Sequence, residues 1–164
     1  MRSTRDVVSY PKRLDDFCYV GLAQYFLTFC VRGRHKVFIC DTAVNSALLH
    51  IRESARLQQF SILAYCFMPD HVHLLVEATS AVSDLRAFVS RAKQYSGAAY
   101  ALKHGGPLWQ RGYYERILRR SEDAKSIARY IVNNPVRAEL VLSPSDYPYL
   151  GSDVWEIEEL VGSI

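Results

Sequence analysis

Residues 60–78 read FSILAYCFMPDHVHLLVEA and contain two apolar runs separated by a proline. Residues 60–67 form a short apolar run that is typical of a buried β-strand. Met68-Pro69-Asp70 predicts a tight turn, because proline fixes its own φ angle. Residues 71–78 predict a second strand, which would pair back on the first as a β-hairpin.

Five more elements are predicted on either side of this hairpin. Aromatic and β-branched residues favour the first strand, and Pro135 ends the last helix because it disfavours helical geometry in the residue before it. The predicted elements are a strand at 19–31, a helix at 42–59, a helix from a Ser83 cap to about Lys103, a strand at 113–119 and a helix from a Ser121 cap to about Asn134. Residues 136–164 predict irregular structure and a loose tail.

The order β-α-β-β-α-β, followed by one added helix, is the split βαβ or ferredoxin-like order. We therefore expect an α+β fold, a ferredoxin-like sandwich with an antiparallel four-stranded sheet, helices on one face and an added C-terminal helix. No repeat or linker divides the chain, which predicts a single domain over residues 1–151 and an acidic tail over residues 152–164. Many unrelated functions use this fold, so it names no activity.

Composition excludes several classes of protein. Of the 164 residues, 49% are apolar and 23% are charged, which fits a folded globular domain rather than a disordered chain. No apolar run is long enough for a membrane span, and the N-terminus lacks the apolar core of a secretory signal. Together with the scattered cysteines Cys18, Cys30, Cys40 and Cys66, which predict free thiols, this favours a cytoplasmic location.

Charge is unevenly distributed along the chain. Four of the 17 acidic residues and none of the 20 Lys and Arg lie in residues 152–164. Residues 79–120 contain eight Lys and Arg against only Asp84 and Glu115. A basic body of this kind fits a polyanionic ligand, although a solvated charged face explains the same distribution equally well.

His71 and His73 are the first candidates for chemistry. Residues i and i+2 of a strand face the same side, so both imidazoles could bind one divalent cation. The alternative is a pair of exposed polar residues on an open sheet face. Tyr130 and Asn134 share one helix face, and a carboxamide oxygen suits Mg²⁺ or Mn²⁺ as a third ligand. Alternatively, Tyr130 packs in the core and Asn134 caps the helix end.

Three separated motifs carry a family resemblance. Residues 64–76 read AYCFMPDHVHLLV, residues 108–115 read LWQRGYYE and residues 130–138 read YIVNNPVRA. In this order they resemble the signature of the single-tyrosine HUH transposases and are most similar to the REP-associated tyrosine transposases. The opening residues 10–13, YPKR, and residues 26–29, FLTF, also fit. The resemblance covers residues 10–150, and it implies the same ferredoxin-like fold.

The resemblance implies a role for each motif residue. His71 and His73 would be the pair that binds the metal, Mg²⁺ or Mn²⁺, and Tyr130 would be the nucleophile on the last helix. Asn134 would occupy the third ligand position, where some members have glutamine. Tyr113 and Tyr114 are also tyrosines, but they belong to the tryptophan-containing motif rather than the catalytic helix.

The implied activity is a metal-dependent single-stranded DNA endonuclease and strand transferase that forms a 5′-phosphotyrosine intermediate. Its substrate would be single-stranded DNA with a hairpin, such as a REP-like palindrome. The resemblance implies a monomer and leaves a dimer open. Two alternatives remain: a catalytically silent nucleic-acid-binding domain of the same fold, and a metallohydrolase that uses water instead of Tyr130.

DNA binding would need cations for phosphates and rings for bases. Tyr95 and Trp109 could stack on unpaired bases, although core packing explains Trp109 equally well. The candidate cations, each of which could instead be a solvated surface charge, are Arg86, Arg91, Lys93, Arg111, Arg116, Arg119 and Arg120. Residues 152–164 could fold back over this basic groove and compete with DNA, in which case truncation after Gly151 would tighten DNA binding at low salt.

Overall fold

The computed structural model describes residues 18–162, so the YPKR motif at residues 10–13 and the first part of the predicted domain lie outside the described residues. The strands are β1 (Gln24–Cys30), β2 (Phe60–Met68), β3 (His71–Ala78), β4 (Tyr114–Ile117) and β5 (Leu150–Gly151). The helices are α1 (Asp41–Leu57), α2 (Leu85–His104), α3 (Ala124–Val132), α4 (Asn134–Arg137) and α5 (Ile157–Val161).

The strands form one antiparallel sheet in the order β4-β1-β3-β2-β5. The first four strands have the ferredoxin-like arrangement, so the predicted α+β fold is confirmed. The β2–β3 hairpin is confirmed as well, with Met68 opposite His71. The sheet differs from the prediction by the two-residue β5, which pairs with β2 at its outer edge.

The two faces of the sheet carry two separate cores. On one face, α1 packs through residues at helical spacing, and α2 lies beside it over the strands. The buried α1 residues include the predicted Val44, Ala47, Leu48 and Ile51. Strand residues that point to this core include Leu27 and Phe29 of β1 and Val72 and Leu74 of β3. The predicted pair of helices on one face is therefore α1 and α2.

The added helix lies on the opposite face. Here α3 packs against β2 and β3 through Ala128, Ile131 and Val132. A register irregularity between Ile62 and Ala64 bends β2 beneath this helix. This second core fixes α3 above the face of β3 that carries the odd-numbered residues His71 and His73.

Some predicted boundaries were wrong. Ser83 does not cap α2, because its hydroxyl donates to the carbonyl of Gln59. Asp84 caps the helix instead, and its carboxylate accepts from Ala87 N–H. Asp123, not Ser121, caps α3. The first strand begins only at Gln24, because Gly21 has a positive φ of 115° and bonds the carbonyl of Ser83.

Residues 136–162 are also more ordered than predicted, since they contain β5 and α5. Leu160 is fully buried against α3, and the Arg129 Nε donates to the carbonyl of Leu160 at 3.1 Å. Asp153 pairs with Arg52 of α1 at 2.6 Å. The described part of the acidic tail thus contacts α1 and α3, whereas the candidate DNA-binding residues lie on α2, β4 and the loops flanking β4. None of the helices in residues 18–162 has the length and apolar character needed to cross a bilayer.

Candidate active site

His71 and His73 stand side by side at the start of β3. Both are partly buried, and Val72 between them points into the opposite core. Their Nε2 atoms are 3.1 Å apart, so the two rings converge on one point. The predicted alternative, two exposed polar residues on an open sheet face, does not describe this arrangement, because both side chains are partly buried.

A different residue holds the other nitrogen of each ring. The Nδ1 of His71 lies 2.6 Å from Asp70 Oδ1, and the Nδ1 of His73 lies 2.8 Å from Thr28 Oγ1. Because a carboxylate only accepts, His71 donates from Nδ1 and presents a lone pair at Nε2. Arg34 Nε contacts Asp70 Oδ2 at 2.9 Å and holds the carboxylate in place. The aspartate therefore does more than shape the turn.

Both rings are neutral at neutral pH. Burial, with smaller contributions from His71, Arg34 and Arg137, lowers the pKa of His73 to about 3. Burial also lowers the pKa of His71, against the opposing effect of the Asp70 carboxylate. Neutral imidazole is the form that binds metals. The local environment therefore keeps the pair ready for a cation rather than a proton.

The donor set fits a small divalent cation. Adjacent ligands of an octahedral site with bonds of about 2.1 Å lie about 3.0 Å apart, close to the 3.1 Å between the two Nε2 atoms. Within residues 18–162 no third histidine, cysteine or carboxylate joins them in a cluster that could hold a metal. The remaining positions would fall to an amide oxygen, water or a phosphate oxygen.

Tyr130 lies on α3, above this face of the sheet. Its side chain is 48% exposed, so the alternative of a tyrosine packed in the core does not hold. The guanidinium of Arg137 lies 4.3 Å from the centre of the Tyr130 ring. Arg137 also acts electrostatically on His73, so it is near both the candidate nucleophile and the histidine pair.

Asn134 lies two residues after the end of α3 and begins α4. Its Nδ2 donates to the carbonyls of Tyr130 and Ile131 at 3.2 and 3.1 Å. The side chain thus caps the helix end, as one alternative predicted. These bonds use the amide nitrogen and leave the oxygen, the atom that would bind a cation, uncommitted by them. Capping and a ligand role are therefore compatible.

A model of the transposase family described as IS200-like matches residues 19–134, which include the histidine pair, Tyr130 and Asn134. The chain belongs to the IS200-like transposase family. It is therefore a DNA-processing enzyme of the transposase class. This match confirms the transposase family that the sequence motifs resemble.

Individual relatives of this IS200-like transposase agree. The ISDra2 transposase TnpA of Deinococcus radiodurans is 34% identical over 121 residues, which cover 69% of this chain and 84% of that protein. The REP-associated tyrosine transposase of Escherichia coli K12 is 26% identical over 132 residues, 80% of this chain and 77% of that protein. A solved structure of a REP-associated tyrosine transposase bound to a REP hairpin matches with a TM-score of 0.72 and 25% identity, over 87% of this chain and 81% of that one.

The sheet face of the transposase continues from the histidines towards its β4 edge. Phe26 of β1 stacks on His73 with ring centres 5.4 Å apart, and Tyr114 of β4 meets Phe26 edge-on at 6.1 Å. Arg116 lies opposite Phe26 in the register of β1 and β4, and it pairs with Glu122 at 2.5 Å. Of the predicted DNA-binding residues, Arg116 is thus the one placed on the histidine face by the strand register.

The candidates on α2 lie on the other side of the sheet. Arg86 stacks on Tyr19 at 4.6 Å, and Arg91 stacks on the 45% exposed Tyr95 at 4.3 Å. The Lys93 ammonium donates to the carbonyls of Gln110 and Gly112 and so fixes the loop before β4.

Trp109 is a core residue. It is 9% exposed, its Nε1 donates to Ser96 Oγ at 2.8 Å, and its ring meets Phe29 edge-on at 5.7 Å. Of the two alternatives for Trp109, its burial favours core packing over stacking on a base. Arg111 is exposed in the loop that follows it, while Arg119 and Arg120 line an open cleft of about 490 Å³ at the far end of β4.

Thr28, Arg34 and Arg137 are not among the residues predicted for the site, and Asp70 is predicted only as part of a tight turn. Arg137 belongs to the motif at residues 130–138, and this membership could have indicated a role in the site. Thr28 lies opposite His73 across β1 and β3. That contact becomes visible only once the strand register is known.

Proposed function

We propose that this transposase is a metal-dependent single-stranded DNA endonuclease and strand transferase. It would act through a 5′-phosphotyrosine intermediate on Tyr130, at DNA hairpins of the REP-like type. The observation that carries the proposal is the convergence of two neutral histidine nitrogens, 3.1 Å apart, beneath the helix that carries an exposed tyrosine.

The chemistry balances within DNA and protein alone. The Tyr130 oxygen attacks the scissile phosphorus, the new P–O bond forms, and the bond from phosphorus to the 3′ oxygen breaks. The phenol releases one proton, and the departing 3′ oxygen takes up one proton and becomes a free hydroxyl. Attack by a 3′-OH on the phosphotyrosine reverses these steps and rejoins a strand, so one phosphodiester replaces another without ATP.

The main energetic cost is the ionisation of the Tyr130 phenol. With a pKa of about 10, tyrosine costs about 4 kcal/mol to ionise at pH 7. Held by His71, His73 and the Asn134 amide oxygen, Mg²⁺ or Mn²⁺ would polarise a phosphate oxygen and neutralise developing charge. Asp70 and Thr28 orient the two rings. The Arg137 guanidinium, stacked on the Tyr130 ring, adds positive charge where the phosphate would lie.

The DNA partner is inferred from the solved relative bound to a REP hairpin. A DNA hairpin has a duplex stem that the protein could bind and an unpaired flanking strand that it could cleave. Phe26 and Tyr114 are half-buried beside His73 on the same face of the sheet, and they would contact the unpaired bases. We infer that the enzyme acts as a monomer, since the helix that carries Tyr130 packs on the face of the sheet that carries the histidines of the same chain.

The test is a denaturing gel with labelled single-stranded hairpins drawn from repeats that flank the gene. With Mn²⁺ or Mg²⁺, we expect a protein–DNA adduct that disappears in Tyr130→Phe, in His71→Ala and in EDTA. Tyr114→Phe is the matched control, because it removes a tyrosine hydroxyl from the same sheet face but keeps the ring that would contact bases, so the adduct should remain intact. An adduct that persists in Tyr130→Phe would refute the proposed nucleophile. Binding without an adduct, across a varied pool of hairpins, would point to a silent binding domain.

A further inference from the structure

Arg137 follows Tyr130 by seven residues, which is about two turns of a helix. Helical hydrogen bonds run through the junction between α3 and α4. Asn133 N–H donates to the carbonyl of Arg129 at 3.1 Å, and Arg137 N–H donates to the carbonyl of Asn133 at 3.0 Å. Residues this far apart on a helical path lie on the same face, so Arg137 returns to the face that carries Tyr130.

The path continues in spite of a proline. Because proline lacks an N–H, it leaves the carbonyl four residues before it without a helical partner, and for Pro135 this is the carbonyl of Ile131. The side-chain amide of Asn134 donates to that carbonyl at 3.1 Å and replaces the missing bond. The cap at Asn134 therefore keeps α4 in line with α3 and sets the position from which Arg137 reaches back.

The ring of Tyr130 is restrained by Arg137. The tyrosine is half exposed, and within residues 18–162 its hydroxyl makes no hydrogen bond and its ring meets no other aromatic ring. The polar group recorded over the ring is the guanidinium of Arg137, 4.3 Å from the ring centre. Without that contact, a tyrosine on a helix surface can turn between several side-chain rotamers.

The guanidinium also has unused donors. In the described part of the chain it makes no ion pair and no side-chain hydrogen bond. A guanidinium that lies over a ring still presents N–H groups at its edge, and these fit two oxygens of a phosphate. Its charge reaches the histidine pair, because Arg137 contributes, after burial, His71 and Arg34, to the lowered pKa of His73.

We propose that Arg137 is a positioning residue, which aligns Tyr130 with the scissile phosphate by holding the phenol ring under its face and the phosphate at its N–H edge. The inference rests on the proposed function for the identity of the nucleophile and of the phosphate. It gives Arg137 more than a positive charge, because lysine would supply the charge without the planar fork. The contact with the ring itself needs neither metal nor DNA.

The ring contact is tested in the protein without metal or DNA. Fluorotyrosine placed at position 130 alone gives a fluorine NMR resonance that reports on this ring. In Arg137→Gln we expect the resonance to move towards that of free fluorotyrosine and to sharpen, because the ring then turns freely in water. Arg56→Gln is the matched control, since it removes an exposed arginine of α1 that pairs with Glu53, and it should leave the resonance in place. Thermal melting confirms that each variant is folded.

The alignment is tested by the single-turnover rate of adduct formation, with DNA and Mn²⁺ saturating so that affinity does not enter. Arg137→Gln should slow the adduct about 10- to 100-fold, the usual effect of losing a hydrogen bond to a charged group. Arg137→Lys keeps the charge but should remain at least about fivefold slower than the wild type, because an ammonium is a point charge and cannot orient both groups. Arg56→Gln should keep the wild-type rate.

Three results would overturn the inference: an unmoved resonance in Arg137→Gln, an unchanged adduct rate in the same variant, or a wild-type rate in Arg137→Lys, which would mean that charge alone suffices. The two measurements separate this inference from the proposed function. If the wild-type protein forms no adduct with any hairpin, the proposed function fails, and the fluorine resonance still decides whether Arg137 holds the ring.

Discussion

Replacing Asp70 by asparagine should weaken metal binding while leaving the fold intact. Asparagine keeps the size of the side chain and can still accept from His71 Nδ1, but the bond of 2.6 Å loses its charge. A hydrogen bond to a charged group contributes about 1.5–3 kcal/mol, and each 1.4 kcal/mol is about a factor of ten. We therefore expect a 10- to 100-fold weaker affinity for Mn²⁺, the range usual for residues that orient a ligand.

Isothermal titration with Mn²⁺ measures the affinity directly, and adduct yield against Mn²⁺ concentration measures it through activity. The activity loss should be recovered at high Mn²⁺, since only occupancy is impaired. Asp153→Asn is the matched control, because this carboxylate also pairs with an arginine, 2.6 Å from Arg52, but at the tail. Unchanged Mn²⁺ affinity in Asp70→Asn would refute the reasoning that the negative charge of Asp70 strengthens His71 as a metal ligand.

Three further outcomes are expected. Thr28→Val removes the partner of His73 Nδ1 and should weaken Mn²⁺ affinity about tenfold, as measured by the same titration. Trp109→Phe removes the hydrogen bond to the buried Ser96 and some packing, so urea unfolding should show a loss of about 1–3 kcal/mol; a change below about 0.5 kcal/mol would contradict the core role. Leu160→Ala should cost about 2–3 kcal/mol, because the side chain is fully buried against α3, with DNA affinity at low salt unchanged. Tighter DNA binding in that variant would instead support a tail that competes with DNA.

The fold was predictable because its signals are local. The β2–β3 hairpin follows from two apolar runs around a proline turn, and α1 from the spacing of its four apolar positions. The helix caps were less predictable because they depend on tertiary contacts. Ser83 has the right chemistry for a cap, but the carbonyl of Gln59 takes its hydroxyl. The two-residue β5 is too short to show any period in the sequence.

Charge was the weakest guide to the site. Residues 79–120 form one basic window in the sequence, yet they include α2 on one face of the sheet and β4 in its edge. Residues that are neighbours in sequence are therefore separated in space. Some of the cations also have structural roles, since Lys93 donates to a carbonyl of the loop before β4. Residues that are distant in sequence can also meet in space: Arg34 and Asp70 lie in different turns at the same end of the sheet and form an ion pair.

The hydrophobic pattern that builds the core also sets the chemistry of the histidines. Leu27 and Phe29 of β1, with Val72 and Leu74 of β3, must all face the same core, and this requirement fixes the pairing of Thr28 with His73. A slip of one residue would turn every side chain of β1 to the other face and place an apolar group at the ring. Because the Thr28 hydroxyl can either donate to Nδ1 or accept from it, this register lets His73 bond to His71 through Nε2–H or present a lone pair to a cation. The proposed metal binding would therefore depend on strand alternation on the buried face as well as on the two histidines.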